Sequence, residues 1–83
     1  MEDILQQVRE AAEKQILFLP HALRQMSRLD RMITTPEVRE TVMTGELIED
    51  YPEDARGHSC LLLKSVETDR IIHVVCAPIA VFS

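Results

Sequence analysis

The sequence predicts an α+β fold: two or three helices packed on one face of a small antiparallel sheet. Three observations predict it. Apolar residues recur at helical spacing through the first half of the chain. The period changes to two after Gly45. The strand-like segments that follow are joined by short polar turns. Helices followed by a meander gather on one side of an antiparallel sheet. The 83 residues make one domain, 1–83. A chain this small buries only about 60–65% of its unfolded surface, so the core is thin and a second copy or a partner would add to it.

Residues 2–15 read as an amphipathic helix, with Ile4, Leu5, Val8, Ala11 and Ala12 on one stripe and Glu2 and Asp3 at the positive end of the helix dipole. Ile16–Leu19 is a short apolar run before Pro20 and is expected as a short strand. His21 to about Leu29 reads as a second helix with Ala22, Met26 and Leu29 inward. His21, Arg24 (or Gln25) and Arg28 then share an adjacent face, because spacings of three and four bring side chains together. Thr34-Thr35-Pro36-Glu37 starts a third helix. Either Thr35 caps it ahead of Pro36, or Thr34 and Glu37 form a capping box. Val38 and Val42 face inward, and Gly45 is expected to end the helix as a left-handed cap.

Glu46–Tyr51 alternates as a half-exposed strand. Pro52–Gly57 is a polar turn that leaves His58 exposed. Ser59–Val66 reads as a buried strand, Glu67–Arg70 as a tight hairpin loop, and Ile71–Cys76 as the returning strand. Pro78 breaks that strand, and Ile79–Phe82 is a short last one.

Composition narrows the function. The net charge is −5, which argues against a general polyanion binder. Phe18, Tyr51 and Phe82 are the only aromatic residues, too few for a base-stacking platform. The charge is uneven. Residues 16–39 carry Arg24, Arg28, Arg31 and Arg39 against Asp30 and Glu37, whereas residues 40–54 carry Glu40, Glu46, Glu49, Asp50, Glu53 and Asp54 with no basic residue. Such a split is either solvated surface charge or an electrostatic surface for a partner or a second copy. Neither a cleavable leader nor an apolar span of about 20 residues is evident. A cytoplasmic protein without membrane contact is expected, with Cys60 and Cys76 as buried, reduced thiols.

The segments HALRQM, GELIEDYPEDARGHSCLLL and IIHVVCAP occur in that order. In this the chain resembles the small bacterial family known as domain of unknown function 4258, whose pattern runs H-A-x-x-x-M, G-E-I-I-E-x-Y-P, S-C-L-x-L and H-V-V. The match covers roughly residues 18–78. The resemblance implies a compact fold similar to RelE-like ribonuclease toxins, and a small zinc-finger antitoxin as a possible partner protein. Asp69 stands where a turn glycine is usual, and Ile79–Ser83 is shorter than the family's C-terminal segment. A short last strand would leave a sheet edge open for pairing.

Two functional readings follow. One is a protein that acts through protein–protein interaction, as a homodimer or with another partner. The other is an endoribonuclease toxin, with RNA as substrate and His21, Arg24, Arg28 and His73 as catalytic candidates. Cations would hold a phosphate and histidines would move protons. Each candidate also has a plainer reading. His21 caps or packs at its helix start, the arginines pair with the acidic strand, and His73 is a hydrogen-bonded core residue.

No cofactor or metal is expected. His58 and Cys60, or His73 and Cys76, mimic ligand spacing, but on a strand His73 and Cys76 point to opposite faces. Cys60 in apolar surroundings should be an inert thiol. Tyr51 with Glu46, Glu49 and Asp50 is either an acid/base group or a solvated strand face.

Overall fold

The computed structural model describes residues 3–28, 32–66 and 70–82. Its elements are α1 (Ile4–Lys14), α2 (Pro20–Met26), α3 (Thr35–Thr44), β1 (Glu46–Tyr51), β2 (Ser59–Val66), β3 (Arg70–Ala77) and β4 (Ala80–Val81). The four strands form one antiparallel sheet in the order β1-β2-β3-β4. The α+β arrangement is the expected one.

Local chemistry explains the helix starts. Asp3 caps α1 by accepting from the Gln6 N–H at 2.8 Å. Of the two caps open for the third helix, Thr34 is the one used. Its Oγ1 accepts from the Glu37 N–H at 3.2 Å, while the Glu37 carboxylate accepts from the Thr34 N–H at 2.9 Å. Helix α2 runs from Pro20 to Met26 with Ser27 as its C-cap, so it ends short of the expected Leu29 and Arg28 already lies outside it; the expected loop residues 67–69 lie outside the described residues.

One face of the sheet is covered. Ile4, Val8 and Ala12 of α1, Ala22 and Met26 of α2, and Val38 and Val42 of α3 pack with Cys60, Leu62, Val66, Ile72, Val74, Cys76 and Val81 in a single core. Two arginines tie α1 to α3. Arg9 of α1 donates to the Val42 and Gly45 carbonyls at 2.9 and 2.8 Å, and Arg39 of α3 donates to the Ala12 carbonyl at 3.1 Å. Each places a cation at the carbonyl-rich end of the other helix, where the dipole favours it.

Two expectations are corrected. Gly45 is not a left-handed cap; its φ is −73° and ψ 171°, extended backbone. The chain leaves α3 directly into β1, so no reversal is needed. Glycine is required for space instead: a Cβ there would lie 2.3 Å from the Thr41 carbonyl oxygen and 3.0 Å from that of Leu63. Nor is the C-terminal edge of the sheet bare. Phe18 bridges Val81 in parallel, with the Val81 N–H donating to Leu17 and the Leu19 N–H to Val81. The short strand expected at Ile16–Leu19 thus exists as one bridge, and it shields β4. The unpaired edge is β1 at the opposite side. No helix among the described residues is long and apolar enough to cross a membrane.

Candidate functional site

The sheet's second face carries no described helix. Alternation brings Ile71, His73 and Val75 of β3 beside Ser65, Leu63 and Leu61 of β2. Ile71 is 58% exposed and His73 is exposed, while Leu61, Leu63 and Val75 are half-buried. The plainer reading of His73 as a core residue is therefore corrected. The opposite side of the pleat, with Ile72 and Val74, took the core, and the imidazole was left on the open face. A register shift between Leu47 and Glu49 re-aims β1. Glu49 lies beside Leu61, whereas Asp50 lies beside Cys60.

At one end of this face Ala77, Ala80 and Phe82 form a small second core with Val75 against it. The Arg56 guanidinium lies 4.0 Å above the Phe82 ring. Arg56 also grips Asp54 through Nε at 3.1 Å, Nη2 at 2.9 Å and its own backbone N–H at 2.9 Å, and Ser59 Oγ donates to Asp54 at 2.7 Å. The hydrogen bonds from Arg56 and Ser59 hold the Asp54 carboxyl far below the usual carboxylate range. Beside this knot runs an open groove lined by Asp50, Tyr51, Glu53, Asp54, Arg56 and Val75.

Of the acid/base group considered for β1, Tyr51 and Glu49 come together. Tyr51 hydrogen-bonds to Glu49, which pushes its phenol up. Asp50 turns instead to His58 in a close carboxylate–imidazole contact.

The four nuclease candidates fall on two elements and the turn after one of them. His21 and Arg24 are exposed on α2, and Arg28 is exposed just beyond it, while Ala22 and Met26 of the same helix point into the core with Ile72 and Val74. His73 rises from the other side of β3. Gln25 and Met26 of α2 share a small groove with His73, Ile33 and Val38. Five other cations are committed elsewhere. Arg70 pairs with Glu37 at 2.8 Å, Lys64 lies 3.9 Å from Glu40, and Arg9, Arg39 and Arg56 hold the partners already named.

Cys60 and Cys76 are both free and buried, the expected state. The hydrogen bond between them holds the Cys60 thiol down; the same bond and burial push Cys76 up. The sequence offered no sign of this pairing, because it depends on the β2–β3 register. The same holds for the Arg56–Phe82 stack, whose members stand far apart in the chain. Among the described residues no group of three or more His, Cys, Asp or Glu could hold a metal ion.

A further group of exposed apolar side chains lies at another edge. Leu17, Leu19 and Leu23 are 53%, 38% and 44% exposed, and Ile79 is 65% exposed. Leu17 and Leu19 flank Phe18 on one extended segment, and the Leu23 N–H donates to the Leu19 carbonyl. Leu17 and Ile79 line one crevice. The four side chains thus form one border along the β4 end of the sheet.

With these features in place, the class of the molecule is a small α+β domain with one helix-covered and one open sheet face. Residues 18–80 match the family model described as Domain of unknown function (DUF4258). The chain belongs to that family. No curated protein and no solved structure matches it.

Proposed function

We propose that the chain acts through protein–protein interaction, and that its first partner is a second copy of itself. The observation that carries this reading is the apolar border of Leu17, Leu19, Leu23 and Ile79. A monomer gains nothing by leaving four large aliphatic side chains in water along one border, and such patches mark interaction surfaces. The thin core of an 83-residue chain points the same way. A twofold axis at this border lets the patch bury itself against its own copy, as in most homodimers.

Sedimentation at micromolar concentration tests the reading. The expected species has about twice the 9.5 kDa chain mass, and Leu23→Lys with Ile79→Lys returns it to the monomer. A 9.5 kDa particle that does not change on concentration overturns it.

The endoribonuclease toxin, held in check by a zinc-finger antitoxin, is the second reading. What favours it is the exposure of both His21 and His73. What weighs against it is the commitment of Arg9, Arg39, Arg56 and Arg70 to carbonyls and carboxylates. Expression of the chain alone should cause neither growth arrest nor RNA cleavage. Cleavage that disappears in His21→Ala and His73→Ala variants that still fold would reverse this order.

A further inference from the structure

Cys60 and Cys76 are the two cysteines of the chain, and the β2–β3 register sets them directly opposite one another. Opposed residues in an antiparallel pair have Cα atoms about 4.5–5.5 Å apart. That interval falls inside the roughly 4.4–6.8 Å that a disulfide spans, so the Cα spacing of the two strands already suits a bridge. Both side chains point into the covered face, at 0% and 1% exposure, beside Leu62 and Val74. Both thiols are free and share a hydrogen bond. Burial alone would make them inert. However, a narrow crevice between α1 and the β3–β4 turn reaches Cys76 past Ala11, Gln15, Pro78 and Ile79. It suits an oxidant little larger than water.

We propose that Cys60 and Cys76 form a peroxide-oxidisable pair that closes into a reversible cross-strand disulfide. The thiolate of one cysteine attacks a peroxide oxygen. The O–O bond breaks, and the products are a sulfenic acid and, with one proton, water. The second sulfur then attacks the sulfenic sulfur. The S–S bond forms as the S–O bond breaks, and a second water leaves. Two thiols and one hydrogen peroxide become one disulfide and two waters, the sulfurs losing the two electrons that the peroxide gains. A small dithiol reverses the reaction by exchange. The bond staples β2 to β3, the pair of strands on which the whole core rests.

The test treats the purified, reduced full-length chain with hydrogen peroxide. It then blocks remaining thiols in denaturant and reads the intact mass. The expected product is a monomeric chain lighter by two hydrogens that takes up no alkylating label. Dithiothreitol should restore two labelled thiols. Cys60→Ser and Cys76→Ser should each give no such product. Circular dichroism of the oxidised chain should keep the native spectrum and melt several degrees higher than the reduced one. Two alkylatable thiols after peroxide, added oxygen atoms without loss of hydrogens, or an oxidised chain that has lost its native spectrum would each overturn the proposal.

Discussion

Gly45→Ala separates two physical roles for one glycine. If Gly45 served by conformational freedom alone, alanine would be harmless. At φ −73° and ψ 171° alanine is at ease, and removing glycine entropy from the unfolded chain would stabilise the fold by about 0.4–1 kcal/mol. The structure predicts the opposite sign. The new Cβ would sit 2.3 Å from the Thr41 carbonyl oxygen, a backbone atom that cannot swing away, and 3.0 Å from the Leu63 carbonyl oxygen of the neighbouring strand. Relief requires moving Gly45 away from both the last turn of α3 and the neighbouring strand β2. That movement strains the Gly45 N–H bond to Thr41 at 2.8 Å and the Arg9 bond to the Gly45 carbonyl at 2.8 Å. Forcing a methyl into a filled site costs about 1–3 kcal/mol and each of the two weakened hydrogen bonds about 1 kcal/mol, so about 3–5 kcal/mol is expected in all. For a domain of this size that lowers the melting temperature by about 12–40 °C. Thermal melts followed by circular dichroism read the shift directly. A Gly45→Ala protein that melts at or above the wild-type temperature would refute the steric argument.

Three further outcomes follow from the same packing. Leu62→Ala removes a fully buried side chain from the centre of β2 and should cost about 2–5 kcal/mol in a denaturant titration. His58→Ala breaks an exposed pair with Asp50, which contributes about 0–1 kcal/mol, so its melting temperature should stay within about 8 °C of wild type. Acid should destabilise the fold through Asp54 and Glu37. Hydrogen bonds from Arg56 hold Asp54 low, and the Thr34 N–H does the same for Glu37. A carboxyl lowered on folding contributes stability that is present above its unfolded pKa and is lost as pH falls through the folded value. The loss should therefore begin near pH 4.5 and deepen below it, and it should be smaller in Asp54→Asn with Glu37→Gln, as measured by melts across pH 2 to 7.

Much of the architecture was legible in the chain because it rests on local rules. The capping box at Thr34 and Glu37 needs only four residues. The period of two in Ile71–Cys76 put His73 and Cys76 on opposite faces, and Cys76 lies with Ile72 and Val74 in the buried set. The three helices and the strand order followed from the same periodicities and from short connections.

What the tertiary structure alone decided concerns which face, edge or partner each residue meets. Alternation put His73 opposite the buried set, but only the docking of all three helices on one side left it in the open. Gly45 reads as a helix stop in sequence. Its tightest constraint is the Thr41 carbonyl of its own helix, and a second is the Leu63 carbonyl on β2, eighteen residues further along the chain, which no local pattern announces. Arg39 belonged to a basic segment by composition, yet the approach of α1 turned it into a cap for the Ala12 carbonyl. The alternating pattern gives each cysteine a face and nothing more; the register of β2 on β3 sets Cys60 against Cys76. Periodicity is a property of neighbouring residues, and register, edge exposure and charge pairing arise only when distant segments meet.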